Sequence, residues 1–244
     1  MSKNSSKVIF ANPMVRLMSV ALDFDSPLSA RERASAIQAM MKAELSVQLP
    51  DDDDESNPIF ETVDGPDLTA VWADSFMLMT ARYERWQRVR DCVALVHEAV
   101  GVSRNVAGLS MWYLNEIRPP EGGQIDAWSE YTRLPVGASG LDVGPIAGAA
   151  GSLLLCPGEA RHISIEWTHT SSPAIDEESQ LADYYEQPAT ALLAIELNAT
   201  ANPVDVLTST DMILAELDIL NGLVKKTFMS LLTPKAVAIM EGDG

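Results

Sequence analysis

Four of the chain's eleven arginines, Arg82, Arg85, Arg88 and Arg90, fall within nine residues. A guanidinium presents a planar fork that matches carboxylate and phosphate. Arg82, Arg85 and Arg88, three apart on the polar side of a predicted helix, are therefore a candidate anion- or partner-binding patch, with pairing to nearby acids of the same chain as the alternative. The second candidate is His162 with Glu166. Residues four apart in a strand share a face, so this imidazole and carboxylate sit with Ser164 and Thr168 on one polar face. They form either a candidate acid/base pair or the ordinary solvated side of a sheet. His162 and His169 are separated by an odd number of residues and point to opposite faces, so they do not jointly hold a metal. His169 shares its face with Ile163, Ile165 and Trp167 and is expected to be a hydrogen-bonded core histidine.

The remaining patterns stop short of known chemistry. The Gly-rich run from Gly144 to Ser152 lacks the lysine that precedes Ser/Thr in a phosphate loop, and it has no GxGxxG turn. Gly137-Ala-Ser-Gly140 is not a nucleophile elbow and has no histidine nearby. The five acids Asp51 to Glu55 lack the glycine and distal glutamate of a calcium loop. Cys92 and Cys156 belong to no CxxC or Cys/His cluster and are expected to be buried thiols in a reducing cytosol. No catalytic residue, cofactor or metal is expected, and the balance leans away from an enzyme.

The elements that position these residues are legible in the hydrophobic periodicity. Met14 to Phe24 is apolar on both faces, as in an interior strand. Ser29 and Glu32 form a capping box for a helix whose stripe is Ala34, Ile37, Met40, Met41 and Leu45. Residues 50–58 read as a solvated loop, followed by two or three short strands joined by tight turns within Ile59–Val63, Leu68–Ala73 and Ser75–Thr80. Tyr83, Trp86, Val89, Val93, Val96 and Val100 recur at helical spacing, and Gly101 stands where a helix stops. Val106–Ile117 is a strand with Leu109, Met111, Tyr113 and Asn115 on one face and Ser110, Trp112 and Leu114 on the other. The order predicts an α+β fold in which residues 14–118 form a ferredoxin-like βαββαβ unit. Residues 1–13 are a tail and 119–151 a Gly/Pro-rich connector, in which Trp128 and Tyr131 are candidate exposed contacts. Residues 152–244 then supply strands at Ser152–Cys156, His162–Thr170 and Thr190–Ala199, an acidic loop at Ser171–Gln187, and a long C-terminal helix. That helix opens with Thr208 capped by Asp211 and carries Ile213, Leu217, Leu220, Val224, Phe228 and Leu231.

Composition limits the partners. The 244 residues are 47% hydrophobic and carry a formal net charge of −18, which repels phosphate backbones, so no direct nucleic-acid binding is expected. No apolar run is long enough to span a bilayer and no signal peptide is evident, so a cytoplasmic protein without a membrane association is expected. An open sheet leaves edges that pairing in a homodimer would cover.

The segments Leu68 to Trp72, Tyr83-x-x-Trp86, Trp112-Tyr113-Leu-Asn115-Glu-Ile117 and Leu217-Asp218-x-Leu220-Asn221 with Phe228 give the chain, over most of its length, a resemblance to a sporadically distributed bacterial family of similar length and no established function. The resemblance implies an aromatic pair at the start of the central helix, an Arg-Tyr-Ile-Asn-like strand and a C-terminal Leu-Asp-x-Leu-His helix. Here Trp112 stands where arginine is usual and Asn221 where histidine is usual, so the resemblance assigns neither a catalytic role. Its patchy distribution implies mobile loci such as defence or toxin-antagonist systems. Three functions are thus expected in order. The first is a non-enzymatic antitoxin, immunity or adaptor protein whose acidic surface engages a basic protein partner. The second is a small-ligand binder or enzyme using the Arg82–Arg88 or His162/Glu166 surface. The third is a DNA mimic with carboxylates spaced like phosphates.

Overall fold

A computed structural model describes residues 14–43, 66–81, 83, 85–102, 104–118, 125–136, 149–170, 181–185, 192–203 and 206–241. Its elements are β1 (Val15–Phe24), α1 (Ala30–Lys42), β2 (Asp67–Val71), β3 (Ser75–Thr80), α2 (Trp86–Val100), β4 (Val106–Ile117), β5 (Ala150–Leu155), β6 (Arg161–Thr170), β7 (Leu192–Ala201), α3 (Thr210–Leu231) and α4 (Pro234–Glu241). The strands form one sheet in the order β2-β3-β1-β4-β7-β6-β5, and every pairing is antiparallel. The fold is α+β. No helix among the described residues is long and apolar enough to cross a membrane.

The period-two alternation of the strands sorts the sheet into two unlike faces. Met18, Val20 and Leu22 of β1 lie beside Tyr113, Met111 and Leu109 of β4. These continue into Leu197, Ala199 and Ala201 of β7 and then Ile165, Ile163 and Arg161 of β6. This face is covered by α1 through Met40, α2 through Val93 and Val96, and α3 through Ile213, Leu217, Leu220 and Val224, in one core. Among the described residues the opposite face carries no long helix. A smaller cluster, in which Leu181 and Tyr185 cover Leu17, Leu114, Leu192 and Ala194, closes only part of it.

Local chemistry sets the boundaries. Ser29 Oγ accepts from the Glu32 amide at 3.3 Å and the Ser29 amide donates to Glu32 Oε2 at 2.7 Å, so the capping box at the start of α1 is complete. Arg104 Nε also donates to Glu32 Oε1 at 2.5 Å. Its guanidinium, with the Ser29 donors, holds the Glu32 carboxyl down to about 2. α2 ends at Gly101, whose φ of 114° lies where L side chains are strained. The cap of α3 is Ser209, which accepts from the Met212 amide, rather than Thr208. The two hydroxyls are adjacent, and only the second reaches the free amides of the first turn.

Three expectations are corrected. Trp128 and Tyr131 are core residues at 0% and 7% exposure, not exposed contacts. Their segment, a 3-10 helix at Ile125–Glu130 and the turn after it, docks on the end of α3: the Arg133 amide donates to the Leu231 carbonyl at 2.8 Å and the Thr233 amide to the Tyr131 carbonyl at 3.1 Å. Cys156 is exposed while Cys92 is buried, and burial pushes the Cys92 thiol up to about 11. β5 begins at Ala150, inside the expected connector, and is an edge strand with little cover: Leu153, Leu154 and Leu155 are 45%, 64% and 42% exposed. The N-terminal tail 1–13, the loop at 50–58, the strand expected at 59–63, residues 119–124 and 137–148 of the connector, and 171–180 and 186–187 of the second acidic loop lie outside the described residues.

Two predictions follow from these contacts. A Cβ at Gly151 would collide with the buried Trp167 ring, so Gly151→Ala should lower stability by about 1–3 kcal/mol, read as a fall in the denaturant midpoint at unchanged m. Because the Glu32 carboxyl is held low in the folded state, its stabilisation is present above pH 4.5 and lost as pH falls toward about 2. Glu32→Gln should flatten the acid limb of the stability profile in that window and leave the limb above neutrality unchanged.

Candidate functional site

The arginine cluster does not lie along one helical face. α2 starts at Trp86, so Arg85 precedes it in extended conformation, exposed and without a side-chain hydrogen bond or ion pair to the described residues. Arg82 lies outside the described residues. Arg88 donates to Asp67 of β2, and Arg90 donates to Asp218 of α3. Two of the three described guanidiniums are thus committed to carboxylates of the same chain, in different directions. What the cluster does is tie α2 to the sheet on one side and to α3 on the other.

His162 and Glu166 do share the helix-free face of β6, across from Thr200 and Glu196 of β7. At about 3.4 Å per residue their backbones stand about 14 Å apart, too far for direct proton transfer between them. Residue types and parity place them on one face; they do not bring them together. His169 is on the helix face as expected, but neither ring nitrogen has a hydrogen-bond partner among the described residues. Its ring instead meets Trp128 edge-on at 5.6 Å. The hydrogen-bonded core histidine is His97, whose Nδ1 lies 2.9 Å from Thr210 Oγ1 and whose Nε2 lies 2.9 Å from the Arg104 carbonyl.

Tyr83, Trp86, Tyr113, Asp218 and Asn221 meet between α2, β4 and α3. Tyr83 meets Tyr113 edge-on at 5.7 Å, and Tyr113 OH donates to Asn221 Oδ1 at 3.0 Å. Burial raises both phenols above their ordinary range, Tyr113 well above it. Trp86 Nε1 donates to Asp218 Oδ1 at 2.7 Å, beside the Arg90 contact to the other oxygen. Phenols held neutral in this way, with satisfied partners, orient helices and supply no nucleophile or base. No protein-family model and no curated protein matches the chain.

Sequence reasoning also missed a buried charge on the helix-free face. Glu116 is 1% exposed; it accepts from Arg118 Nη2 at 2.5 Å and from Tyr185 OH, and lies 3.5 Å from Arg16 Nε. Arg118 also stacks 5.4 Å from the Tyr185 ring centroid. This network anchors Leu181–Tyr185 to the sheet. Tyr185 and Arg16 are distant in sequence and Arg118, two residues on, shares no motif with Glu116, so only the odd charge in an otherwise apolar stretch of β4 hinted at it.

Beyond that anchor no described segment covers the helix-free face. Glu166 and Glu196 stand directly opposite each other across β6 and β7, both exposed and neither ion-paired within the described residues. Trp112 Nε1 donates to Glu196 Oε2 at 3.1 Å. Asn198, Ser164 and Ser152 surround them, and Leu154 sits at the rim. Like charges facing across a ladder are destabilising, and this sheet places them beside a half-buried indole.

The polar contacts between α2, β4 and α3 differ in how completely they are buried, and their loss should differ accordingly. Tyr113→Phe leaves a buried amide oxygen without its donor and should cost about 1–3 kcal/mol. Trp86→Phe leaves Asp218, 41% exposed and still paired with Arg90, and should cost less than about 1 kcal/mol. Urea denaturation of the two variants checks the ranking.

Proposed function

We propose that the protein is a non-enzymatic interaction protein that engages a basic protein partner through the helix-free face of its sheet, as an antitoxin, immunity or adaptor protein does. The observation that carries this reading is the opposed, exposed pair Glu166 and Glu196 with Trp112 beside it. A lysine or arginine of the partner placed between the carboxylates relieves their repulsion and lays its stem or guanidinium against the indole. The net charge of −18 steers a basic partner toward this surface. The commitment of Arg88 and Arg90 to internal acids supports a partner of positive rather than negative charge. The order β2-β3-β1-β4 supports reading residues 14–118 as a ferredoxin-like unit whose sheet the later strands extend. The free thiols suit a reducing cytoplasm.

The test is affinity capture from the native host with wild type and with a Glu166→Lys, Glu196→Lys double variant, at low and high salt. A stoichiometric basic protein should be retained by wild type at low salt, released at high salt, and recovered at least about tenfold less by the variant. Undiminished recovery of the same partner on the variant would sink this reading.

A further inference from the structure

The outward side of α3 carries a second pattern that its own fold does not use. Ile213, Leu217, Leu220, Val224 and Phe228 are buried against the sheet, whereas Met212, Ala215, Ile219, Gly222, Lys226 and Met229 are all exposed. Their spacing is three, four, three, four, three, the interval at which one helix seats another. Met212, Ile219 and Met229 are 43%, 43% and 39% exposed, large apolar groups left in water along a single line. Gly222 sits in the middle of this 22-residue helix, where glycine is destabilising relative to alanine. Among the described residues a Cβ built there meets no atom within 4 Å, so no close contact with them explains the missing side chain.

We infer that this seam is the contact between two copies of the chain, paired through antiparallel α3 helices. The seam is self-complementary about a two-fold axis between Leu220 and Asn221. Around that axis Met212 faces Met229, Ala215 faces Lys226, and Ile219 of each copy fits over the bare backbone of Gly222 of the other. The small Ala215 leaves room for the Lys226 stem, which extends toward Asp211 of the second copy. Charge selects the antiparallel sense. Of the acids in the first half of α3, Glu216 is buried against Arg161 and Asp218 is held by Arg90 and Trp86, which leaves exposed Asp211; the bases, Lys225 and Lys226, lie in its second half. Antiparallel copies set the Asp211 end of one helix against the Lys225–Lys226 end of the other and oppose the two helix dipoles. Parallel copies would set like against like. In a chain of net charge −18, association between copies needs such a locally balanced strip, and α3 lies on the opposite side of the sheet from Glu166 and Glu196, leaving that face free.

Sedimentation of the full chain across the micromolar range should give twice the 26.5 kDa of one chain. Ile219→Lys and Gly222→Leu, tested separately, should each give the monomer with little change in thermal midpoint, since both positions are exposed. In a Cys156→Ser background, chains carrying Met212→Cys mixed with chains carrying Met229→Cys should cross-link on oxidation, while neither should cross-link with itself. A wild type that sediments as a monomer throughout, a dimer that survives both seam variants, or self-cross-linking through position 212 would each overturn the proposal, the second of these pointing instead to the β5 edge.

Discussion

Nine residue pairs between Leu109–Ile117 of β4 and Leu193–Ala201 of β7 join the two halves of the chain into one sheet. Because both strands alternate in the same phase there, the apolar side of the first half continues without a step into the apolar side of the second. A one-residue slip in this ladder would turn Ile195, Leu197 and Ala199 outward and leave α3 without a floor. All three long helices then share one face, since only that face is continuously apolar, and the other is left to polar residues and a short anchored segment. The asymmetry between a packed side and an open side is thus a matter of register.

The same constraint explains where the cations go. Arg161 grips Glu216 through two hydrogen bonds, 2.5 and 2.7 Å, fixing α3 to β6. Arg104 fixes the α2–β4 loop to α1, and Arg88 and Arg90 fix α2 to its neighbours. Each partly exposed pair contributes little energy alone, but each selects a relative position of two elements that apolar packing leaves free to slide. Buried Glu116, held by Arg118 and Tyr185, is the stronger case, since removing a partner would strand a charge away from water. Spending arginines on internal joints leaves the exterior acidic, so the surface charge follows from the way the interior is held.

How much of this was legible depends on the range of the interaction. The Ser29–Glu32 capping box, the stop at Gly101 and the two faces of β4 were readable, because each is decided by residues within a few positions. The partners of Arg88 and Arg90, and Tyr185 for Glu116, lie outside the element that carries each residue, and spacing along one element says nothing about them. Trp128 and Tyr131 were misread because a Gly- and Pro-rich segment reports the freedom of its backbone, not the destination of its large rings. His162 and Glu166 show the limit of parity: it gives the face and not the distance. The seam on α3 was present in the sequence, but the stripe that packs inward masks it until exposure separates the two.

The uncovered leucines of β5 give the acidity of the chain one more role. An edge strand with three neighbouring leucines in solvent is a template on which another edge can stack indefinitely. Between Val143 and Pro157 the sequence has no charged residue to discourage this, and no bulge or proline interrupts β5 itself. What guards the edge is long-range repulsion between molecules, a colloidal defence in place of a steric one. Such a defence vanishes where the net charge does, near a sequence pI of 4.4, and is thinned by salt as the screening length contracts.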